Sequence, residues 1–380
     1  GAALLFSWDN KRYTSSSWWH PYGKHLPTTP NLLIKGAGFP YHPDTSKVLI
    51  EDCPWMKDRL VGRDVLYAPN VYRMMPAADQ AQGWAKTAEQ VKALMKNHKV
   101  AGEPLGIDWT GPAAVIAFQK AGLNVVDANP MMQESRMIKS DEEIELMRQA
   151  ATCNENGYAQ VARDARPGMR ENEVQAIMAK GFYEAGAEYC EGWVVNSGPR
   201  TSPRSFNWAD RTIRPGDFLT LEACHVTFCG YKVCYDRSFV VGAKPTELQK
   251  EIYNTSAEMH RHLQTKIFKV GMTTHELLKL RPTPTKPPTT VDEIKKYRAS
   301  WANHFGGIGI GWDEAPYISA DYPPVKFEKN MVFAYHCIFA VEGYQGVAVE
   351  NTYRVTETGL ENFCKWPWEE LMVIGFPYQP

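Results

Sequence analysis

An α+β chain in two parts is what the sequence predicts: a smaller N-terminal α/β unit over residues 1–135 and a larger unit over 136–380. Three observations carry this. In the first third, short apolar runs alternate with a stretch of helical periodicity. Two capped amphipathic helices open the second part. The remainder reads as strands and glycine-rich turns, and includes one long hairpin with an acid in the middle of each arm.

In chain order, Ala2-Ala3-Leu4-Leu5-Phe6, Asn31-Leu32-Leu33-Ile34 and Lys47-Val48-Leu49-Ile50 read as short strands. Asp79–Asn97 is polar with apolar residues at helical spacing. Pro104-Leu105-Gly106-Ile107-Asp108 reads as another strand and 111–121 as a helix, which together suit a mixed sheet flanked by helices. Ser140 is a good N-cap, and Glu143 three residues later completes a capping box for a helix over 141–165. Arg166-Pro167-Gly168 stops that helix. A second runs over 171–185 and ends before Gly186, and a third spans 246–268. The proline-rich stretch from Arg281 to Pro288 predicts a rigid extended loop.

Composition narrows the function. The 380 residues are 44% hydrophobic, 12% aromatic and 22% charged, enough for a buried core and too apolar for a disordered chain. A formal net charge of −1 offers no single-sign field for nucleic acid or an anionic membrane. No apolar run is long enough to span a bilayer. The eight cysteines include no Cys-x-x-Cys pair and read as reduced, buried thiols of a cytoplasmic protein. Because Ala2–Phe6 already reads as a strand, the natural chain is expected to begin upstream of Gly1.

The hairpin is the most informative segment. Its first arm starts after Pro215-Gly216-Asp217, its turn is Cys229-Gly230, and it carries Glu222 in one arm and Asp236 in the other. An acid inside an apolar strand is costly to desolvate unless something compensates it. Two such acids facing each other call for a cation or a shared proton between them.

Several further segments, in order, resemble the pita-bread enzymes, a family that includes creatinase, prolidase, aminopeptidase P, methionine aminopeptidase and a branch that cleaves dimethylsulfoniopropionate. They are Ile138-Lys139-Ser140 with Glu142-Glu143-Ile144 and Met147-Arg148, then Ser197-Gly198-Pro199-Arg200-Thr201, then Asp236-Arg237-Ser238-Phe239. Asp313-Glu314-Ala315-Pro316, Met331-Val332-Phe333 and Val349-Glu350-Asn351-Thr352 follow, before Val355-Thr356-Glu357 and Gly359. The resemblance implies a catalytic domain of curved antiparallel sheet covered by helices, a smaller creatinase/prolidase-type domain before it, and a homodimer.

The family's peptidases hold two metal ions with two Asp, one His and two Glu. By resemblance Glu222 falls where the first Asp is expected, Asp236 where the second is, and Glu350 on the second Glu. His336 stands in place of the first Glu. A gapless match puts Gly306 at the family histidine, with His304 two residues earlier on the same side of a strand. The implied centre is Glu222, Asp236, His336 and Glu350, with His304, His225 or Cys224 as additions. Carboxylates with one or two imidazoles suit a single Fe, Mn or Zn ion. A two-ion clamp needs more bridging carboxylates, and a metal-free site, as in creatinase, is the third arrangement open to the fold.

The stretch Pro203-Arg204-Ser205-Phe206-Asn207-Trp208 lacks the histidine that creatinase and the peptidases use before the hairpin. Ser197–Thr201 and Asn10-Lys11-Arg12-Tyr13 are nearer to the sulfonium-cleaving branch, although its Asp-x-Asp pair is Glu222-x-Cys224 here. Trp18, Trp19 and Trp193 are candidates for a pocket around a small cationic or zwitterionic substrate, or for core and dimer packing. Arg200 and Arg204 are candidates for gripping a substrate carboxylate, or for structural ion pairs. Tyr231 and Tyr235 are candidates for a general base or an oxyanion donor, or for simple packing. His260 and His262 read as surface residues of the third helix. The leading reading is a metal-dependent hydrolase or lyase that cleaves a C–N or C–S bond in a small polar molecule. An Xaa-Pro peptidase and a catalytically silent binding protein are the alternatives.

Overall fold

Strand and helix signals resolve into two units, divided between Ser135 and Arg136. The computed structural model describes residues 1–15, 31–34, 46–49, 64–66, 76–202, 204–205, 207–282 and 299–376. The proline-rich loop expected up to Pro288 lies outside these from residue 283 onward.

The first unit contains β1 (Ala2–Leu5), α1 (Trp8–Ser15), β2 (Asn31–Ile34), β3 (Ser46–Leu49), β4 (Asp64–Leu66), α2 (Ala77–Asn97), β5 (Leu105–Ile107), α3 (Pro112–Lys120) and β6 (Val125–Asp127), and α4 (Asn129–Met137) follows. Its sheet has the order β4-β3-β2-β1-β5-β6 and mixes parallel with antiparallel neighbours. Leu4, Leu32 and Leu105 pack against Trp84, Val91 and Met95 of α2 and Phe118 of α3. Within Asn10-Lys11-Arg12-Tyr13, Asn10 donates to Asp108 Oδ2 (2.9 Å) and Lys11 is buried, which pushes its ammonium pKa down to about 8.

The second unit opens with α5 (Asp141–Asp164) and α6 (Glu171–Glu184). The capping box is present: Glu143 N donates to Ser140 Oγ, and Ser140 N donates to the Glu143 carboxylate. Next come β7 (Tyr189–Ser197), β8 (Phe218–Phe228), β9 (Tyr231–Val233) and β10 (Asp236–Val241), then α7 (Glu247–His262) and α8 (Thr274–Leu280). The chain finishes with β11 (Ala299–Ile308), β12 (Trp312–Glu314), β13 (Val332–Val341), β14 (Gly346–Val355), β15 (Leu360–Asn362) and β16 (Met372–Ile374). The main path of the sheet is β12-β11-β13-β14-β10-β8-β7, antiparallel throughout. No helix among the described residues is long and apolar enough to cross a membrane.

The hairpin turns at Cys229-Gly230, both with positive φ (50° and 85°), the conformation a tight hairpin turn needs. Val226 pairs with Val233, but Glu222 pairs with Asp236, so four steps along β8 face three on the returning strand. β8 therefore carries a bulge beside Cys224 and His225, a device that bends a strand and re-aims its side chains.

Alternation decides which residues face the core. On β13, Phe333, Tyr335, Cys337 and Phe339, and on β14, Val347, Val349, Tyr353 and Val355, join the apolar clusters that include residues of α7. Residues 336 and 350 consequently face the other side. The inner stripe of α7 includes Leu248, Ile252, Ser256, Met259 and His260. His260 is thus fully buried rather than at the surface, and His262 is half-buried beside Glu258, 3.3 Å away. His260 Nε2–H donates to the Val349 carbonyl (2.9 Å) and Nδ1 accepts from the Tyr353 hydroxyl (2.9 Å).

Burial drives the His260 pKa from 6.5 down to about 3, so the folded protein keeps it neutral. The unfolded chain gains that proton near pH 6.5 and the folded chain only near pH 3. The stability tied to this group is complete above pH 6.5 and falls as pH drops toward 3, by about 1.4 kcal/mol per unit. Urea denaturation at pH 7, 6, 5 and 4 should show this slope. H260Q, which keeps a donor for Val349 and does not titrate, should flatten it by close to one proton.

Candidate metal centre

One cross-strand row carries the chemistry. His304 on β11 is in register with His336 on β13, His336 with Glu350 on β14, Glu350 with Asp236 on β10, and Asp236 with Glu222 on β8. Directly opposed residues point to the same face of a sheet. Five strands from three separate stretches of the chain therefore each contribute one polar residue to a single rung. For His304 the strand register is what places it; its side chain lies outside the described residues.

Three described side chains of the row, Glu222, Asp236 and His336, meet at one arginine. Arg204, from the loop before β8, reaches Asp236 Oδ2 through Nη1 (2.9 Å), pairs with the Glu222 carboxylate through Nη2, and places Nη1 2.8 Å from His336 Nε2. His336 Nε2 also lies 2.8 Å from Asp236 Oδ2. That nitrogen has one hydrogen or one lone pair, so it either donates to Asp236 or accepts from Arg204. The Cys224 thiol donates to Glu350 Oε2 (3.0 Å). Asp236 and Glu350 are 0% and 4% exposed. Burial alone would push Asp236 up, but Arg204 and His336 outweigh it and hold the carboxyl below its usual range. Burial, with Asp236 opposite, pushes Glu350 up, His336 opposing.

Behind the row the β10–β14 pairing is stitched by side chains. Arg237, 1% exposed, donates Nη1 to the carbonyls of Asp236 (2.7 Å) and Glu350 (2.8 Å). Its Nη2 donates to Asn351 Oδ1 and the Trp366 carbonyl, both at 2.9 Å. Ser238 Oγ accepts from Ala348 N and donates to Ala348 O, and Thr352 Oγ1 does the same for Cys234. Four acceptors clamp the guanidinium, which stacks 4.3 Å from the Tyr235 ring.

The other candidates stand elsewhere. Arg200 Nε donates to the fully buried Glu171 (3.0 Å), which also accepts from Ser197 and from Ala209 N. Tyr231 donates to Glu143 (2.7 Å) and Tyr235 to Glu155 (3.1 Å), both acids of α5. Tyr235 precedes Asp236 by one residue, so strand alternation turns it to the helix side. Trp18 and Trp19 lie outside the described residues, as do the side chains of Trp193 and His225; Trp193 is placed opposite Ala223 on β8. Sequence reading missed the anchoring role of Arg237, although it sits inside the Asp-Arg-Ser-Phe motif. It also missed Cys234, which with Cys224 and Glu350 forms a second potential donor group.

The model of metallopeptidase family M24 matches residues 145–357, a span that contains the described side chains of the row. The chain belongs to metallopeptidase family M24. It is 25% identical to a dimethylsulfoniopropionate lyase, DddP, of Roseovarius nubinhibens, over 98% of this chain and 83% of the relative. It is 26% identical to an Xaa-Pro dipeptidase of Pyrococcus furiosus over 74% of this chain and 78% of the relative. An Xaa-Pro dipeptidase structure from Bacillus anthracis superposes with a TM-score of 0.75 at 22% identity, covering 98% of this chain and 95% of that one. That likeness establishes the prolidase/aminopeptidase P-like fold, with its curled antiparallel half-barrel sheet.

The donor set of this M24 chain suits the divalent ion that the family implies. Asp236, His336 and Glu350 can each offer one ligand atom with all three within 4.8 Å of one another, and Cys224 borders them. Two hard oxygens, one imidazole and a nearby sulfur match Zn, Fe or Mn better than Mg or Ca.

Arg237 fixes the backbone from which two of these donors project. R237M would leave the carbonyls of Asp236, Glu350 and Trp366 without that partner in a dry setting, at a cost of about 3 kcal/mol or more. Urea melts should show this loss, and R237K, unable to reach four acceptors, should recover only part of it.

Proposed function

We propose that this chain is a metal-dependent lyase or hydrolase acting on a small carboxylate-bearing zwitterion, with β-elimination at a C–S bond as the favoured reaction. The row Glu222–Asp236–Glu350–His336 carries the reading. It keeps a carboxylate cluster but departs from the family peptidases' ligand pattern at Glu222 and His336, and Gly306 stands at the position of the family histidine. The extent of likeness supports the lyase side. In sequence, two relatives named dimethylsulfoniopropionate lyase align over 98% and 97% of this chain, against 74% for the Pyrococcus furiosus dipeptidase, while in fold the Bacillus anthracis dipeptidase covers 98% as well.

In this reading Asp236, His336 and Glu350 hold the ion. When bound, it would withdraw electron density from the substrate carboxylate and so acidify the neighbouring C–H. Glu222 takes the proton: its side chain is 15% exposed, whereas Asp236 is fully enclosed. As that proton leaves, the C–H electron pair becomes a C=C bond, the C–S bond breaks with its electrons going to sulfur, and a neutral thioether departs with an unsaturated carboxylate. Tyr231 and Tyr235 are engaged with Glu143 and Glu155, so the base in this scheme is a carboxylate.

Protein purified without chelator should carry about one ion per chain by elemental analysis, and D236N and H336A should each bind less. Supplied with dimethylsulfoniopropionate and related sulfonium or ammonium carboxylates, the enzyme should release the thioether or amine. E222Q should lower kcat by about 10²-fold or more while retaining the metal. Cleavage of Gly-Pro or Ala-Pro, with no lyase turnover, would instead establish a dipeptidase.

A further inference from the structure

We infer that Arg204 and the metal ion compete for one place: the guanidinium is the counter-cation of the row in the metal-free protein and must leave for the ion to enter. This rests on the reading of the row as a metal centre. Arg204 is 6% exposed on its side chain and contacts three row residues at once, Glu222, Asp236 and His336. It therefore engages Asp236 Oδ2 and abuts His336 Nε2, the imidazole nitrogen that faces the row's carboxylates and is placed to ligate an ion there. A divalent ion and a guanidinium sharing that oxygen would be like charges in contact, inside a site too dry to screen them.

The two arginines of the site are held differently, which is why one can move and the other cannot. Arg237 is clamped by four acceptors within the sheet seam. Arg204 comes from the connection between β7 and β8. Its backbone belongs to an isolated bridge with Thr201, and the neighbouring Ser205 N is held by Asn196 Oδ1 (2.9 Å). Withdrawing the Arg204 side chain breaks ion pairs but no pairing between strands of the sheet. The carboxylates it leaves are then compensated by the entering divalent ion, which brings one positive charge more than the guanidinium it replaces. An arginine fixed as a purely structural partner would show no such trade.

The test is Mn²⁺ and Zn²⁺ titration of the metal-free full chain by calorimetry, alongside thermal unfolding with and without each ion. R204M should bind at least one of these ions ten-fold or more tightly than the wild type. Without metal it should melt lower than the wild type, and its Tm should rise further on metal addition. R204K, with a smaller and more mobile cation, should fall between the two; should R204M fail to fold, R204K bears the comparison. Equal or weaker binding by the Arg204 variants overturns the exchange. If binding is equal and H336A abolishes it, the metal centre stands and only the exchange falls. If no variant binds either ion, both fall together.

Discussion

Asp236 and Glu350 stand directly opposite each other on neighbouring strands, almost without exposure, and the rest of the larger unit is arranged around that fact. Two carboxylates so close and so dry repel when both are ionised, and each has lost its hydration. The protein meets this from both sides of the sheet. In front, Arg204 and His336 supply positive charge or hydrogen bonds to Asp236. Behind, Arg237 neutralises the carbonyls of the same two residues, and Ser238 and Thr352 replace backbone ladder bonds with side-chain ones. A β10–β14 seam held this way cannot slide by a residue without breaking several buried hydrogen bonds.

Antiparallel architecture turns that local problem into a site. In a sheet of period two, a core on one face obliges alternate residues to face the other way. Tyr335, Cys337 and Val349 pack with the helix α7, so His336 and Glu350 are delivered to the opposite face with little freedom to do otherwise. The bulge in β8 then brings Glu222 level with Asp236 rather than one position away. Precision here comes from strand register and from His260 and Arg237 gripping the backbone, which is stiffer than a constellation built on loops. Arg204 is the exception, the one described contact of the row that comes from a connecting loop.

Much of this was legible in the chain. The capping box at Ser140, the helix ends near Ala165 and Gly186, and the Cys229-Gly230 turn are local signals, and each forms as the residues suggest. Glu222, Asp236, His336 and Glu350 stood out because acids and imidazoles in apolar strands violate the expected pattern. Orientation was less legible. His260 looked like a surface residue of a polar helix, yet the inner stripe of α7 takes it into the core. Tyr231 and Tyr235 shortly precede Asp236 in sequence, but their hydroxyls reach acids of α5 instead. Arg200 and Arg204, four residues apart, meet entirely different partners.

The sequence by itself determined the element types, the two-part organisation and the identity of the residues able to carry charge in the row, because propensity, capping and alternation act over a few residues. Only the tertiary structure decided that five strands align in one register, that Arg204 lies among the carboxylates while Arg200 goes to Glu171, and that Arg237 anchors the seam from behind. Those outcomes depend on which strand pairs with which and on where water is excluded, and no stretch of a few residues contains that information.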